Sequence, residues 1–172
     1  MRRLIIFIAF MLSVNIYCQN NVAVGISQDI KLALAEDDYG NTPFTLDMIV
    51  EVGYEVSPIG RDYIKVYAQH ERAELSGGLY TRNAVGLAYG FKILNTHLEP
   101  SVNVGNIHRF GYKFQSIELK VSWYYNITRN ISTGFVYNYT HRKDVDVWRS
   151  NAGFGIKYHI YNLKDKRYKR NY

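Results

Sequence analysis

The sequence predicts an all-β fold: eight antiparallel strands closed into an up-and-down barrel that crosses a membrane. Three observations carry that expectation. After residue 18, apolar residues recur at every second position, which is the period of a strand. The alternating stretches run to about 10–13 residues, near the 9–11 that a tilted strand needs to span a bilayer and beyond the 5–6 usual in soluble sheets. Aromatic residues make up 15% of the chain, with 16 tyrosines, and many fall toward strand ends.

The first eighteen residues read as an export signal. Met1-Arg2-Arg3 is basic, and the apolar run Leu4 to Leu12 is too short for a membrane-spanning helix of ~20 residues. Cleavage after Cys18, leaving Gln19 first, resembles the signal-peptide ends of many Bacteroidota. A lipoprotein signal would want a small residue where Tyr17 stands. Cys18 is the only cysteine, so the segment after it must fold without a disulfide.

The strands follow in order. In 22–34, Val22, Val24, Ile26, Ile30, Leu32 and Leu34 oppose Ala23, Gly25, Ser27, Asp29 and Lys31. In 45–56, Leu46, Met48, Val50, Val52, Tyr54 and Val56 oppose Asp47, Glu51, Gly53 and Glu55. A weaker strand over 63–73 sets Ile64, Val66 and Ala68 against Lys65, Tyr67 and Gln69. In 84–93, Val85, Leu87, Tyr89, Phe91 and Ile93 oppose Ala84, Gly86, Ala88, Gly90 and Lys92. Only Val102 and Val104 mark a face in 101–109. In 117–127, Ile117, Leu119, Val121, Trp123, Tyr125 and Ile127 oppose Glu118, Lys120, Ser122 and Asn126. Ile131, Thr133, Phe135, Tyr137 and Tyr139 then oppose Ser132, Gly134, Asn138 and Thr140 in 131–140. Finally, in 148–160, Trp148, Ala152, Phe154, Ile156, Tyr158 and Ile160 oppose Arg149, Asn151, Gly153, Gly155, Lys157 and His159.

Alternation alone suits a soluble barrel as well as a membrane one. The polar faces, however, carry Gly25, Gly53, Gly86, Ala88, Gly90, Gly134, Gly153 and Gly155. Small residues fit a narrow, strongly curved lumen, whereas on a solvated face they would only weaken the sheet. Tyr54, Tyr63, Tyr80, Trp123, Tyr125, Tyr137, Tyr139, Trp148 and Tyr158 are the expected interfacial girdle. The expected domains are a signal peptide at 1–18, a barrel at 19–161 and a basic tail at 162–172.

On these features the chain resembles the small eight-stranded outer-membrane barrels of the outer-membrane protein A and X type. One motif adds to the resemblance. Asn151-Ala152-Gly153-Phe154-Gly155-Ile156-Lys157-Tyr158 fits the terminal-strand pattern read by the barrel-insertion machinery, with Asn151, Gly153, Ile156 and Tyr158 at its fixed positions. The resemblance implies periplasmic termini, outward connections at 35–44, 71–80, 109–116 and 141–148, and periplasmic turns at 57–62, 94–100 and 128–130. It also implies contact with outer-membrane lipid and lipopolysaccharide.

Eight strands make a barrel that its own side chains fill. The expected lumen network pairs Asp29, Asp47, Glu51, Glu55 and Glu118 with Lys31, Lys65, Lys92, Lys120 and Lys157, because buried charges persist only when paired. The resemblance brings two enzyme classes to test, the lipid A deacylases and acyltransferases. The first needs His-x-Ser, but His70, His97, His108, His141 and His159 are followed two residues on by Arg72, Glu99, Phe110, Lys143 and Tyr161. The second has only His141, Asp144 and Ser150 as a candidate set. No histidines have metal-ligand spacing, and no cofactor is implied.

The net charge of +6 also has a location. Arg2 and Arg3 lie in the signal segment, and 164–170 carries five basic residues and one acidic, so 19–163 is neutral. That removes the support for nucleic-acid binding. The expected function is a non-enzymatic, monomeric barrel with a filled lumen and a structural or surface-interaction role through its external loops. The alternatives are a lipid A-modifying enzyme and a secreted soluble barrel holding a small apolar ligand.

Overall fold

The computed structural model describes residues 19–35, 40–59 and 62–161. The expected signal segment and basic tail lie outside them. The strands are β1 (Gln19–Asp29), β2 (Asp47–Ile59), β3 (Asp62–Leu75), β4 (Gly78–Ile93), β5 (Thr96–Arg109), β6 (Tyr112–Asn126), β7 (Ile131–Arg142) and β8 (Val147–Tyr161). Each pairs antiparallel with its sequence neighbours, and β8 returns to β1, closing the barrel. With an even strand count, both ends of the barrel segment sit at one rim, here the terminal end; the opposite rim is the distal end.

Every alternation read in the sequence falls with its apolar side outward, apart from the end of the first. Residues 30–34 continue that alternation, yet β1 stops at Asp29 and a five-residue helix, α1 (Ile30–Leu34), follows. Asp29 caps it, its Oδ1 accepting the Leu32 N–H at 3.0 Å. The helical turn buries Leu32 and exposes Leu34, which a strand would place on one face.

The expected long connections are mostly strand. Turns 76–77, 110–111 and 143–146 replace 71–80, 109–116 and 141–148, and β5 already begins at Thr96. Phe110 and Gly111 both have positive φ, 52° and 79°, as a two-residue type I′ hairpin requires. The hydrogen-bonded ladder continues through these polar stretches, which sequence alternation could not mark as strand. Pro100 sits within β5 opposite Val121, and the β4–β5 ladder is interrupted there, in the same register on either side, because proline has no N–H to give.

The outer face forms an apolar belt with a sharp distal margin. Ala68, Val85, Val104 and Ile117 lie in register across β3 to β6. The next outward row is His70, Asn83, Asn106 and Gln115, and the one beyond it is Arg72, Thr81, His108 and Lys113. Below the margin the outward residues of β4, from Val85 to Ile93, stay apolar or aromatic, over about the 9–11 residues of a bilayer-spanning strand. The β3–β4 and β5–β6 hairpins therefore continue past the belt.

Candidate functional site

The polar residues that alternation turns inward build one connected network. In the terminal half, Lys157 of β8 lies 2.7 Å from Glu55 of β2 and also bonds Glu99 of β5. Lys65 bonds Glu99 in turn and reaches Glu51 Oε1 at 2.8 Å. Lys120 of β6 bonds Glu51 and donates to Gln69 Oε1 at 3.0 Å. Gln69 donates to Glu118 at 3.4 Å. Glu118 accepts from Arg82 Nη1 at 2.9 Å and from Thr140 at 2.9 Å. Acid and base alternate along this chain, so each charge is shielded by two of opposite sign or by a carboxamide. A low-dielectric interior tolerates charge on that condition.

Tyrosine rings fill the space between the charges, and glycines make room for them. Tyr63 lies across Gly90 and Tyr67 across Gly86, each an in-register pair. A Cβ on Gly90 would stand 2.1 Å from Tyr63 Cζ, and one on Gly86 would stand 2.5 Å from Tyr67 Cζ. The Tyr63 hydroxyl bonds Glu99, so the ring is also part of the charged network.

Toward the distal rim the lumen becomes apolar and then closes. Ala73, Tyr80 and Ile107 are buried together, with Leu75 and Phe114 packed against them. The Arg142 guanidinium stacks over Tyr80 at 4.5 Å and grips Asp144 through Nε, at 3.1 Å, and Nη2. Arg109 adds a second cation at 3.5 Å. Burial alone would raise the Asp144 pKa, but its bond to Arg142 and the charges of Arg142 and Arg109 hold it below the ordinary aspartate value. Beside this closure lies a cavity of about 60 Å³, walled by Asn41, Asp47, Glu71, Tyr80, Thr140, Arg142, Arg149 and Asn151 among others.

Asp47, Glu51, Glu55, Lys65, Glu118, Lys120 and Lys157 of the expected network lie inside the lumen. Asp29 and Lys31 lie where the chain leaves the strand: Asp29 caps α1, and Lys31 is exposed on it. Lys92 is half-exposed near the terminal rim. Of the expected girdle, Tyr54, Trp123, Tyr125, Tyr137, Tyr139, Trp148 and Tyr158 face outward, and Tyr139 stacks on Trp148 at 4.8 Å. Tyr63 and Tyr80 are lumen residues instead, 7% and 2% exposed, since they share parity with Lys65 and Arg82. Of the terminal-strand motif, Gly153 faces inward, Ile156 and Tyr158 face outward, and Asn151 borders the distal cavity.

Arg82, Glu99 and Glu71 were missed from sequence. Arg82 lay between the expected connection 71–80 and the expected strand 84–93, Glu99 in the expected turn 94–100, and Glu71 where strand 63–73 overlaps that connection. Parity carried to the true strand ends reveals all three: Arg82 with Ala84, Glu99 with Ser101, and Glu71 with Gln69.

No protein-family model matches the chain, and no curated protein matches it in sequence. Solved structures do. The outer-membrane protein Ail of Yersinia pestis, in a phospholipid bilayer nanodisc, superposes with a TM-score of 0.56 at 15% identity, covering 83% of this chain and 99% of that one. The N-terminal β-barrel domain of Pseudomonas aeruginosa OprF gives a TM-score of 0.57 at 8% identity, with the same coverages of 83% and 99%. The fold is that of the small outer-membrane barrels. At such identities the likeness is one of fold.

Proposed function

We propose that the chain is an integral outer-membrane barrel with a non-enzymatic, surface-interaction role. The observation that carries the reading is the outer face. A closed belt of Val, Ile, Leu and aromatic side chains ends, across β3 to β6, in two in-register polar rows, and water would not leave so large an apolar surface uncovered. Both termini face the periplasm in this reading, and the distal rim faces outward. The contact elements are then the β3–β4 and β5–β6 hairpins rather than long loops, since their turns are only two residues each. A β-hairpin held by its ladder offers a preformed edge and face, which lowers the ordering cost of binding.

The lumen supports a non-catalytic assignment, because Glu51, Glu55, Glu99 and Glu118 are committed to lysine and arginine partners along a continuous chain. Lipopolysaccharide is the expected surround at the outer margin, and the barrel-insertion machinery the expected partner during assembly. Fractionation tests the reading directly. The protein should stay in the membrane pellet after carbonate extraction and should migrate faster in detergent gels before boiling than after. Recovery as a detergent-free soluble monomer would overturn it.

A further inference from the structure

The polar rows beyond the belt form a patch, not a ring. On the β2 side they meet Val50, in register with His70, and Met48, in register with Arg72. On the β6 side, β7 stops at Arg142, opposite Ser116, so Lys113 and Gln115 have no strand beside them there. Only β3 to β6 carry the polar face onward, and they carry it straight up from the belt. Ala68, Val85, Val104 and Ile117 stand two residues below the first row, on the same side of each strand. Along tilted strands the two rows lie roughly 5 and 9 Å above that last apolar row, and a headgroup layer is about 5–8 Å deep. A bilayer whose hydrocarbon covers the belt therefore brings its headgroups against this patch.

The chemistry of the patch suits an anionic headgroup. Among the described outward positions of β3 to β6, the only lysine and arginine are Lys113 and Arg72, both exposed and both in the second row. The terminal margin of the same strands carries Asp62 instead, which accepts from the Tyr89 hydroxyl at 2.6 Å. Fixed positive charge on this outer face thus stands at one margin alone. Arg72 meets Glu74 at 3.2 Å, but with side chains 51% and 57% exposed that pair is open to water and to exchange. Thr81 and His108 lie between the two cations in the same row. Arg72 and Lys113 are three interstrand steps apart, roughly 14 Å. In the row below, His70 Nδ1 lies 2.7 Å from Asn83 Oδ1, which leaves the Asn83 amide nitrogen to donate. A cation at each end with hydroxyl and amide groups between fits a sugar headgroup bearing phosphates better than a single small anion.

We propose that the outward face of β3 to β6 beyond the belt docks the phosphorylated sugar headgroup of an outer-leaflet glycolipid, with Arg72 and Lys113 on its phosphates. The assignment deepens the surface-interaction reading and rests on its placement of the distal rim outward. It leaves the hairpin tips, where Leu79, Phe110 and Tyr112 are exposed, for other contacts.

Native mass spectrometry of the refolded barrel in non-ionic detergent tests this, with bisphosphorylated lipid A as the probe. The native barrel should retain the lipid, and the same lipid stripped of its phosphates should bind about tenfold more weakly. R72Q/K113Q should bind both lipids alike, at the weaker level. R129Q, which removes an exposed cation from the β6–β7 turn at the terminal rim, should bind as the native barrel does. Heat-shifted migration checks that each variant is folded. Equal binding of the two lipids by the native barrel would overturn the proposal. So would undiminished binding by folded R72Q/K113Q, or an equal loss in R129Q, which would mark general charge attraction only. Carbonate extraction decides the membrane reading separately, so a barrel that passes it and fails here sinks this proposal alone.

Discussion

Adding one methyl group at Gly90 measures how tightly the lumen is built. In Gly90→Ala the new carbon would lie 2.1 to 2.5 Å from three atoms of the Tyr63 ring. Carbon atoms rest at about 3.5–4.0 Å, so the ring must retreat by more than an ångström. It cannot do so freely, because its hydroxyl bonds Glu99 and lies 3.3 Å from Lys157 Nζ. Overpacking costs about 1–3 kcal/mol, and a lost hydrogen bond to a charged group costs about 1.5–3 kcal/mol. Alanine returns about 0.5–1 kcal/mol over glycine through backbone entropy. The net expectation is a loss of about 1.5–5.5 kcal/mol, read from urea unfolding in detergent by tryptophan fluorescence. In a Tyr63→Ala background the obstruction is gone, and the same substitution should be neutral or stabilising. Gly25→Ala is the control, since its nearest obstacle is 3.8 Å away, and it should stay within ~1 kcal/mol of wild type. If Gly90→Ala costs the same with and without the Tyr63 ring, the socket explanation is refuted.

Arg82→Met should cost about 3–5 kcal/mol in the same unfolding assay, because Glu118 would stay buried without its guanidinium. Adding Glu118→Gln should recover part of that loss. In planar bilayers the wild-type barrel should conduct at background, since Lys157, Lys65, Lys120 and Arg82 cross the lumen from different strands; sustained large steps would contradict a filled lumen. The Asp144 carboxyl, followed by carbon-13 shift, should titrate below the ordinary aspartate value of ~3.9. Its lock on Arg142 then stabilises the β7–β8 turn above that pH and is lost as the pH falls through the depressed value. Arg142→Met should move the midpoint back up.

Alternation in the sequence specified which side chains enter the lumen wherever the apolar face was unbroken, as in Ile117 to Ile127. It failed where the outer face stops being apolar. His70, Arg72, Asn83 and Asn106 sit on outward strand positions beyond the belt, and their polarity looks like loop. That confusion shortened β4, hid Arg82 and made hairpins look like long loops, whereas Glu99 and the start of β5 were lost at the terminal rim, in the expected turn 94–100. The opposite failure occurred at Ile30–Leu34, where apolar spacing suits a strand but Asp29 supplies a helix cap. Tyr63 and Tyr80 were assigned by residue type instead of parity. The distal cavity was not legible at all, because its walls come from five strands, β2, β3, β4, β7 and β8, that meet only at the rim.

Parity also leaves register undetermined, and here the lumen has a task the belt cannot perform. A one-residue slip of β4 against β3 would turn every apolar side chain inward and is strongly penalised. A two-residue slip keeps every side chain on its face, and a belt of interchangeable Val, Ile and Leu would scarcely register it. Inside, the same slip moves Tyr63 from Gly90 to Ala88 or Lys92, and Tyr67 from Gly86 to Ala84 or Ala88. Each ring would then meet a Cβ or a longer side chain where the native register leaves space. It would also carry Arg82 of β4 past the Ser116, Glu118 and Asn103 acceptors on β5 and β6. Buried charges add little net stability over a well-packed apolar core. What these do is make the native register the one in which every socket and every ion pair is met together.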